Sequence, residues 1–483
     1  MGKLDNIEPK SVFKFFEEIC QIPRCSGKEE KISKYLVDFA KQNGFTFIQD
    51  DAYNVIIKKP GTSGYEKSPT VILQSHMDMV CTKTDTSTHD FDKDPIDLVI
   101  DGNTIKANGT TLGADNGIGM AISLAILESK EISHPPLEVI FTANEEEGLQ
   151  GAAQLDMTNI TGKTMINLDV EDEGVFVASC AGGIRHVISL DIVWEDVPKE
   201  FVPYRVTISG LKGGHSGLEI DKGRGNSNIL MGRFLHELQS TINFSLSEIN
   251  GGIKMNIIPS KTESVILIDN QDFGKLKSKV ESWNQIIKNE FMSSDEKVNI
   301  SINEIDMPKK VFSNKSLDDL IFVLMTIPNG VQTMSMDIKG LVESSTNLGV
   351  VNTVENTVTF VSNIRSSKRS LKYNILNKME LIAKRVQADT LSDSEYPEWD
   401  YDPKSNIREL FVNTYTKLYN AEPQITAVHA GLECGFFKNN IQEIDIISFG
   451  PNIYNVHSPD ETLDFNSVNR SWELLLHVLA ELK

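Results

Sequence analysis

The chain has 483 residues, more than one ordinary domain holds, so two or three domains are expected. Its formal net charge is −21, and an acidic surface repels phosphate backbones, which argues against nucleic acid as a partner. No apolar run approaches the roughly 18 residues that a membrane span requires, and the N-terminal stretch lacks the apolar core of a signal peptide, so we expect a cytoplasmic protein.

The first region alternates predicted helices with predicted strands. Apolar residues at helical spacing predict helices over residues 9–43, with a break at Ile22–Gly27 and an end at Gly44. Strands are predicted at 45–49, 53–58 and 70–75.

The last of these strands runs into His76-Met77-Asp78. Side chains alternate along a strand, so His76 and Asp78 point to the same side. One of them can bind a metal ion while the other holds the far nitrogen of the imidazole. A polar strand end with a chance histidine is the alternative, and this stretch alone does not decide between the two.

Glycines 113, 117 and 119 surround Asp115 just before an apolar helix predicted from Met120 to Leu127. The spacing fits neither a P-loop nor a dinucleotide-binding fingerprint. Two interpretations stay open. The glycines can let the backbone bend so that Asp115 faces a ligand, or Asp115 can be an ordinary helix N-cap.

Two further strand-like runs end in carboxylates. Leu137–Ala143 leads to Glu145, Glu146 and Glu147, which repel one another unless solvent or a cation relieves them. The run that begins at Lys163 leads to Asp169. Metal-competent residues at successive strand ends are typical of an open α/β sheet whose ligands bind beyond the carboxyl ends of the strands.

The pattern changes between residues 184 and 399, where strand-like and helical runs alternate without such clusters. A helix over 405–419 and a strand over 444–449 then resemble the first region again, and the strand leads to His457. We therefore predict an α/β fold with two domains. An open, mostly parallel sheet forms the first domain, which comprises residues 1–183 and 400–483. An α+β domain that comprises residues 184–399 is inserted into it.

The chemistry follows from the donor types. The five cysteines are scattered without a Cys-x-x-Cys pair, which predicts neither a disulfide framework nor a thiolate zinc site. Nitrogen and oxygen donors suit zinc, and also manganese or cobalt. The candidate ligands are too many for one open zinc but suit two metal ions with a shared carboxylate: His76, Asp115, Glu146, Asp169 and His457. Glu145 is left as an acid beside them, able to take a proton from the attacking water and give it to a leaving amine.

These stretches resemble the di-zinc metallopeptidases of the carnosine-dipeptidase and aminoacylase superfamily, and within it the bacterial aminoacyl-histidine dipeptidases. The resemblance covers nearly the whole chain and implies a catalytic domain of the zinc-aminopeptidase type, formed by residues 1–183 and 400–483. Its shared motifs are Ile22–Arg24, Ser75–Val80, Gly113–Gly117, Asn144–Glu146, Asn167–Asp169 and the loop of His457. Its dipeptidase-like features are Ser179–Gly183, Gly213–Gly217, Gly223–Asn226 and His429–Gly435.

The resemblance implies a role for each candidate. Asp115 is the carboxylate that bridges the two metal ions. His76 and Asp169 complete one site, and Glu146 and His457 complete the other. Asp78 orients His76, and Glu145 is the general base and then the general acid. The resemblance also implies a cis peptide bond between Asp115 and Asn116.

The inserted region resembles the family's lid domain, which closes over the substrate and often forms the dimer. Three residues of this region match the family's substrate contacts: His215, Asn256 and Arg365. Gly431, from the chain that returns to the first domain, is the fourth substrate-binding candidate. His215 lies in a glycine-rich turn and can stabilise an oxyanion. Arg365 ends a strand-like run and can clamp a carboxylate, although from the residues alone a surface arginine is the simpler interpretation.

We predict a metal-dependent dipeptidase that cleaves peptides with a free C-terminal carboxylate, including Xaa-His substrates such as carnosine. Its expected cofactors are two divalent ions, Zn²⁺ in preference to Co²⁺ or Mn²⁺. The expected partners are a small peptide and a second copy of the chain, with no nucleic acid or membrane. The alternatives are an N-acyl amino acid deacylase or tripeptidase on the same scaffold, and a non-catalytic peptide-binding protein.

Overall fold

The computed structural model describes residues 2–483. The helices are α1 (Lys10–Ile19), α2 (Glu30–Asn43), α3 (Ala114–Glu128), α4 (Gln150–Gln154), α5 (Ser227–Gln239), α6 (Phe273–Glu290), α7 (Asn314–Thr326), α8 (Arg369–Val386), α9 (Asn406–Tyr419), α10 (Cys434–Asn440) and α11 (Phe465–Glu481). None of the helices in this described part of the chain combines the length and apolarity that a bilayer span demands.

The strands are β1 (Thr46–Gln49), β2 (Val55–Lys59), β3 (Val71–His76), β4 (Leu98–Asp101), β5 (Thr104–Ala107), β6 (Leu137–Thr142), β7 (Thr164–Asn167), β8 (Val175–Cys180), β9 (Gly182–Asp191), β10 (Trp194–Asp196), β11 (Phe201–Ser209), β12 (Gly214–His215), β13 (Phe244–Gly251), β14 (Ile257–Ile258), β15 (Thr262–Asp269), β16 (Asn299–Glu304), β17 (Lys310–Phe312), β18 (Gly330–Met334), β19 (Val342–Val354), β20 (Thr357–Ser366), β21 (Asp389–Tyr396), β22 (Gln424–Val428), β23 (Asp445–Ser448), β24 (Ile453–Tyr454) and β25 (Thr462–Asp464).

The chain divides into two compact units. The first unit runs up to Ser179 and then takes in 401–427 and 432–483. The second unit comprises Cys180–Asp400 together with the short stretch Val428–Gly431. The inner boundaries predicted from the sequence lie at residues 183 and 400, and that prediction does not separate residues 428–431 from the first unit.

The first unit is built on an eight-stranded sheet in the order β1-β2-β6-β3-β7-β23-β8-β22. The four strands β6, β3, β7 and β23 are parallel, so their carboxyl ends lie at one edge. β3 and β6 are buried at every residue, as strands covered on both faces are. Helix α3 packs against β3. It also lies close to the end of β7, as shown by Gly119, where an added Cβ would be 2.6 Å from the carbonyl oxygen of Leu168.

The second unit is built on an antiparallel sheet in the order β16-β11-β15-β13-β19-β20-β9-β21, with β18 paired to β19. Helices α5, α6 and α8 pack on this sheet. Its core includes an edge-to-face pair between Phe234 and Trp283, whose ring centroids are 5.6 Å apart. The predicted fold class, an α/β sheet domain with a separate α+β unit, is confirmed.

One expectation about the cysteines is wrong. Cys25 and Cys81 are joined by a disulfide bond, although their separation of 56 residues gives no sign of it. The loop that carries Cys25 lies beside the chain that leaves β3, since the N–H of Met79 donates to the carbonyl of Arg24 over 3.1 Å. Spatial adjacency of this kind is set by the sheet and cannot be read from cysteine spacing.

Candidate functional site

The candidate metal ligands meet at the carboxyl edge of the parallel strands. His76 is the last residue of β3, and Asp169 follows β7 by two residues. Glu146 follows β6, Asp115 lies at the start of α3, and His457 lies between β24 and β25. Parallel strands end at the same edge, so residues far apart in sequence converge there.

Asp115 lies between two groups of donors. Its Oδ1 is 2.9 Å from Nε2 of His76, and its Oδ2 is 3.2 Å from Nε2 of His457. Nε2 of His76 is also 3.5 Å from Oδ1 of Asp169, and Nε2 of His457 is 2.9 Å from Oε1 of Glu146. The two oxygens of one carboxylate thus face two separate histidine–carboxylate pairs.

This donor set fits divalent cations. Ligand atoms of His76, Asp115 and Glu146 all lie within 4.8 Å of one another. Burial, together with neighbouring carboxylates, raises the pKa of Glu145 and of Asp169 well above the ordinary range. Buried acids crowded in this way need a positive charge nearby, and imidazole nitrogens with carboxylate oxygens are the ligands that zinc, manganese and cobalt accept.

The histidines supply positive charge among these carboxylates. Hydrogen bonds to Asp115 and Glu146 raise the pKa of His457 to about 10. Burial alone would lower the pKa of His76, but Asp169, Asp115 and Asp78 raise it well above its ordinary value. The carboxylates around the two imidazoles therefore favour positive charge at this position.

Asp78 makes more contacts than its predicted role required. Its Oδ1 is 3.3 Å from Nδ1 of His76, a contact without good hydrogen-bond alignment. Oδ1 also accepts from the backbone N–H of Glu145 over 3.0 Å, and Oδ2 accepts from that of Glu146 over 3.2 Å. Ser26 Oγ donates to Oδ2 over 2.8 Å. One buried carboxylate thus links the end of β3 to the loop after β6.

Asp115 is not an N-cap. Gly113, in the left-handed region with φ +70°, occupies that position without a side-chain cap, and Asp115 itself has non-helical torsion angles. The peptide bond from Asp115 to Asn116 is cis. The carboxylate of Asp115 faces the two histidines, and a ligand held there stays a prediction.

The second unit contains all four predicted substrate-binding residues: His215, Asn256, Arg365 and Gly431. Arg365 is 6% exposed and donates to Tyr396 Oη over 2.7 Å, so it is not a surface arginine. The carbonyl of Asn256 accepts from Ser216 N over 2.9 Å. Gly431 closes the short stretch 428–431 that belongs to this unit.

The turn after His215 fixes the tautomer of its imidazole. The backbone N–H groups of Gly217 and Leu218 donate to Nδ1 over 3.3 and 3.2 Å. Nδ1 is therefore an acceptor, and the ring proton resides on Nε2. Burial and the charge of Arg365 lower the pKa of His215, which favours this neutral form.

The family model for peptidase family M20/M25/M40 matches residues 72–481. The chain belongs to this family. The enzyme class and family expected from the motifs, a metallopeptidase of this kind, are thereby confirmed, and the site above lies within the matched region.

Two relatives of the M20 chain match along its whole length. The cytosol non-specific dipeptidase of Escherichia coli is 40% identical over 482 residues, which cover 100% of this chain and 99% of that protein. The solved structure of the aminoacylhistidine dipeptidase of Vibrio alginolyticus superposes on this chain with a TM-score of 0.94. The two sequences are 38% identical, and the match covers 99% of this chain and 97% of that protein. Aminopeptidase PepT of Bacillus cereus, 16% identical over 99% of both chains with a TM-score of 0.56, shares the fold.

Sequence reasoning missed two polar features of this M20 site. Asn116 Nδ2 donates to Oδ1 of Asp169 over 2.6 Å, linking α3 to the end of β7. Its place beside Asp115 in Gly-Ala-Asp-Asn-Gly was the available signal.

A chain of buried polar side chains also crosses the sheet beneath the site. Gln74 Nε2 donates to Glu433 Oε2 over 2.6 Å, and its Oε1 accepts from Asn167 Nδ2 over 2.5 Å. Thr142 donates to the same Glu433 oxygen over 2.8 Å, and Ser448 donates to Asn167. Gln74 and Asn167 interrupt otherwise apolar strand runs, and that interruption was the signal. Burial raises the pKa of Glu433 to about 7.

Proposed function

We propose that the protein is a metal-dependent dipeptidase that hydrolyses dipeptides with a free C-terminal carboxylate, Xaa-His substrates such as carnosine included. The observation that carries this proposal is the split donor set around Asp115 with the half-buried Glu145 beside it. The substrate class is supported by the two full-length relatives, which are named as a non-specific dipeptidase and an aminoacylhistidine dipeptidase.

We propose two divalent metal ions as cofactors, with zinc preferred. His76 and Asp169 would hold one ion, Glu146 and His457 the other, and Asp115 would bridge them. When bound, such ions polarise the scissile carbonyl and make water a better nucleophile at neutral pH.

Glu145 would move the proton. Its pKa is raised well above the ordinary range by burial and by neighbouring carboxylates, which brings its basicity toward the working pH of a general base. The hydrogen bond from its N–H to Asp78 fixes its backbone. In this role the carboxylate accepts a proton from the attacking water and later donates it to the amine that leaves.

The residues of the second unit would bind substrate. The neutral His215 presents an Nε2–H group, a donor suited to the oxyanion that develops on the carbonyl. The guanidinium of Arg365, held by Tyr396, suits the C-terminal carboxylate of a dipeptide, because its donors match a carboxylate in a bidentate pair. Asn256 and the backbone N–H of Gly431 are proposed as further polar contacts.

Substrate turnover tests the proposal directly. The purified protein, stripped with a chelator and reloaded with Zn²⁺, Mn²⁺ or Co²⁺, is assayed on carnosine, Ala-Ala, Ala-Ala-Ala and N-acetyl amino acids. We expect metal-dependent hydrolysis of both dipeptides. Hydrolysis of N-acetyl amino acids with carnosine untouched would favour a deacylase, and preference for Ala-Ala-Ala would favour a tripeptidase. Binding of dipeptides without hydrolysis by the metal-loaded protein would favour a non-catalytic binding protein.

We also propose a cytoplasmic homodimer formed through the second unit. The name of the Escherichia coli relative supports the location. In that compartment the Cys25–Cys81 pair would be held largely reduced. Sedimentation equilibrium of the full chain tests the dimer, and a monomer at micromolar concentration would contradict it.

A further inference from the structure

Arg24 and Glu461 are buried, oppositely charged side chains beside the loop that carries Asp115. Each is 2% exposed, and neither is a candidate metal ligand. Buried charges need partners of good geometry. Here the hydrogen-bond partners are backbone groups, and those groups belong to the segments that carry the ligands.

Glu461 binds the Asp115 loop through four consecutive N–H groups. Its carboxylate accepts from the backbone nitrogens of residues 112–115, at 2.7, 2.9, 2.8 and 3.3 Å in chain order. Hydrogen bonds to an ionised carboxylate are stronger than neutral ones. Since Glu461 follows His457 by four residues, these bonds tie the His457 segment to the Asp115 loop.

Arg24 binds the same loop from its carbonyl side. Its Nη2 donates to the carbonyl of Gly113. Its Nη1 donates to the carbonyls of Met77 and Asp78, over 3.1 and 2.8 Å. A Cβ on Gly113 would lie 2.5 Å from this Nη2, so only glycine leaves room for the contact. These bonds tie the end of the His76 strand to the Asp115 loop.

We propose that Arg24 and Glu461 are positioning residues that hold three ligand-bearing segments, those of His76, Asp115 and His457, in one arrangement before a metal ion binds. Both backbone polar groups of Gly113 are bonded: its N–H donates to Glu461 and its C=O accepts from Arg24. The inference rests on the proposed metal site. Its consequence is that metal affinity depends on two side chains that never touch the ion.

Glu461→Gln tests this inference. The amide would turn its NH₂ group toward two of the four N–H donors, so the Asp115 loop loses part of its support. We expect the dissociation constant for Zn²⁺, measured by competition with a chromophoric chelator, to rise about 10- to 100-fold, as is typical for residues behind metal ligands. The visible absorption of the Co²⁺-loaded variant should also change.

Glu138→Gln is the matched control. Glu138 is also 2% exposed and accepts backbone N–H bonds from Thr161 and Gly162 over 2.9 Å. It lies near the start of β6, at the other end of the sheet. We expect this variant to lose stability while it keeps wild-type Zn²⁺ affinity.

Wild-type Zn²⁺ affinity in Glu461→Gln would overturn the inference, as would an equal loss in Glu138→Gln. If Glu461→Gln does not fold, Arg24→Lys decides, because one ammonium cannot reach both segments that the guanidinium joins: weaker Zn²⁺ binding supports the inference and unchanged binding overturns it. A wild-type protein that binds Zn²⁺ but hydrolyses no dipeptide would contradict the proposed function and leave this inference standing.

Discussion

The carboxylate of Asp78 accepts a hydrogen bond from the backbone N–H of Glu145, with 3.0 Å between Oδ1 and N. The same carboxylate faces Nδ1 of His76 at 3.3 Å. One side chain therefore contacts both a candidate metal ligand and the backbone of the candidate base. Burial raises the pKa of Asp78, but the contact with His76 and the backbone bonds outweigh it and lower that pKa overall, so the group stays ionised.

Asp78→Asn should weaken metal binding and hydrolysis together, each by about 10- to 100-fold. The amide NH₂ must face the N–H of either Glu145 or Glu146, which leaves one donor without an acceptor. Zn²⁺ titration and the initial rate of dipeptide hydrolysis measure the two effects. Asp50→Asn is the control, since Asp50 accepts from the N–H groups of Ala52 and Asn54 in a turn of the same unit. Equal losses in both variants would show a general effect on stability.

Glu145→Gln should reduce kcat by several orders of magnitude with metal content retained, because an amide cannot carry the proton. Metal content by atomic emission and kcat on carnosine give the result. Glu147→Gln changes the exposed neighbour and should leave both near wild type. If Glu145→Gln loses metal in proportion to activity, Glu145 is a ligand and the assignment is wrong.

Arg365→Lys should raise KM for dipeptides about 10- to 100-fold, since an ammonium replaces a bidentate guanidinium at the substrate carboxylate. The discrimination between a dipeptide and its C-terminal amide should shrink at the same time. Arg185→Lys is the control, because Arg185 pairs with Asp393 over 2.6 Å at a more exposed place on the same sheet. Unchanged discrimination in Arg365→Lys would place the carboxylate elsewhere.

His429 should make the second unit sensitive to acid. Burial, with the nearby charge of Arg365, lowers the pKa of this histidine to about 3. In the unfolded chain the same imidazole has a pKa of about 6.5. Above pH 6.5 the imidazole is neutral in both states, and its contribution to stability is present. As pH falls from 6.5 toward 3, only the unfolded state takes up the proton, so the free energy of unfolding falls by up to about 1.4 kcal/mol per pH unit.

Urea unfolding between pH 7 and pH 4, followed by tryptophan fluorescence, measures this effect. His429→Asn should lose stability less steeply than wild type over that range. His477→Asn, at an exposed helix position, should follow the wild-type slope. Parallel pH profiles for His429→Asn and wild type would contradict the prediction.

The candidate site could be predicted largely because its residues follow a local rule. His76, Glu146 and Asp169 each come at or just after the end of an apolar strand run, and parallel strands bring such ends to one edge. Arg24 and Glu461 follow no such rule. Each bonds to backbone groups of segments distant in sequence, and a backbone group has the same chemistry at every position. The residue pattern therefore does not predict which backbone groups Arg24 and Glu461 bind.

The sequence by itself determined the family, the α/β class and the residue types at the candidate metal site, because apolar periodicity and donor chemistry are properties of short stretches. Only the tertiary structure decided that His76 faces Asp115 at 2.9 Å, that Cys25 is joined to Cys81, and that residues 428–431 belong to the second unit. These relationships join segments far apart along the chain. The packing of the sheet and its helices sets the distances between such segments, and the order of the residues does not record them.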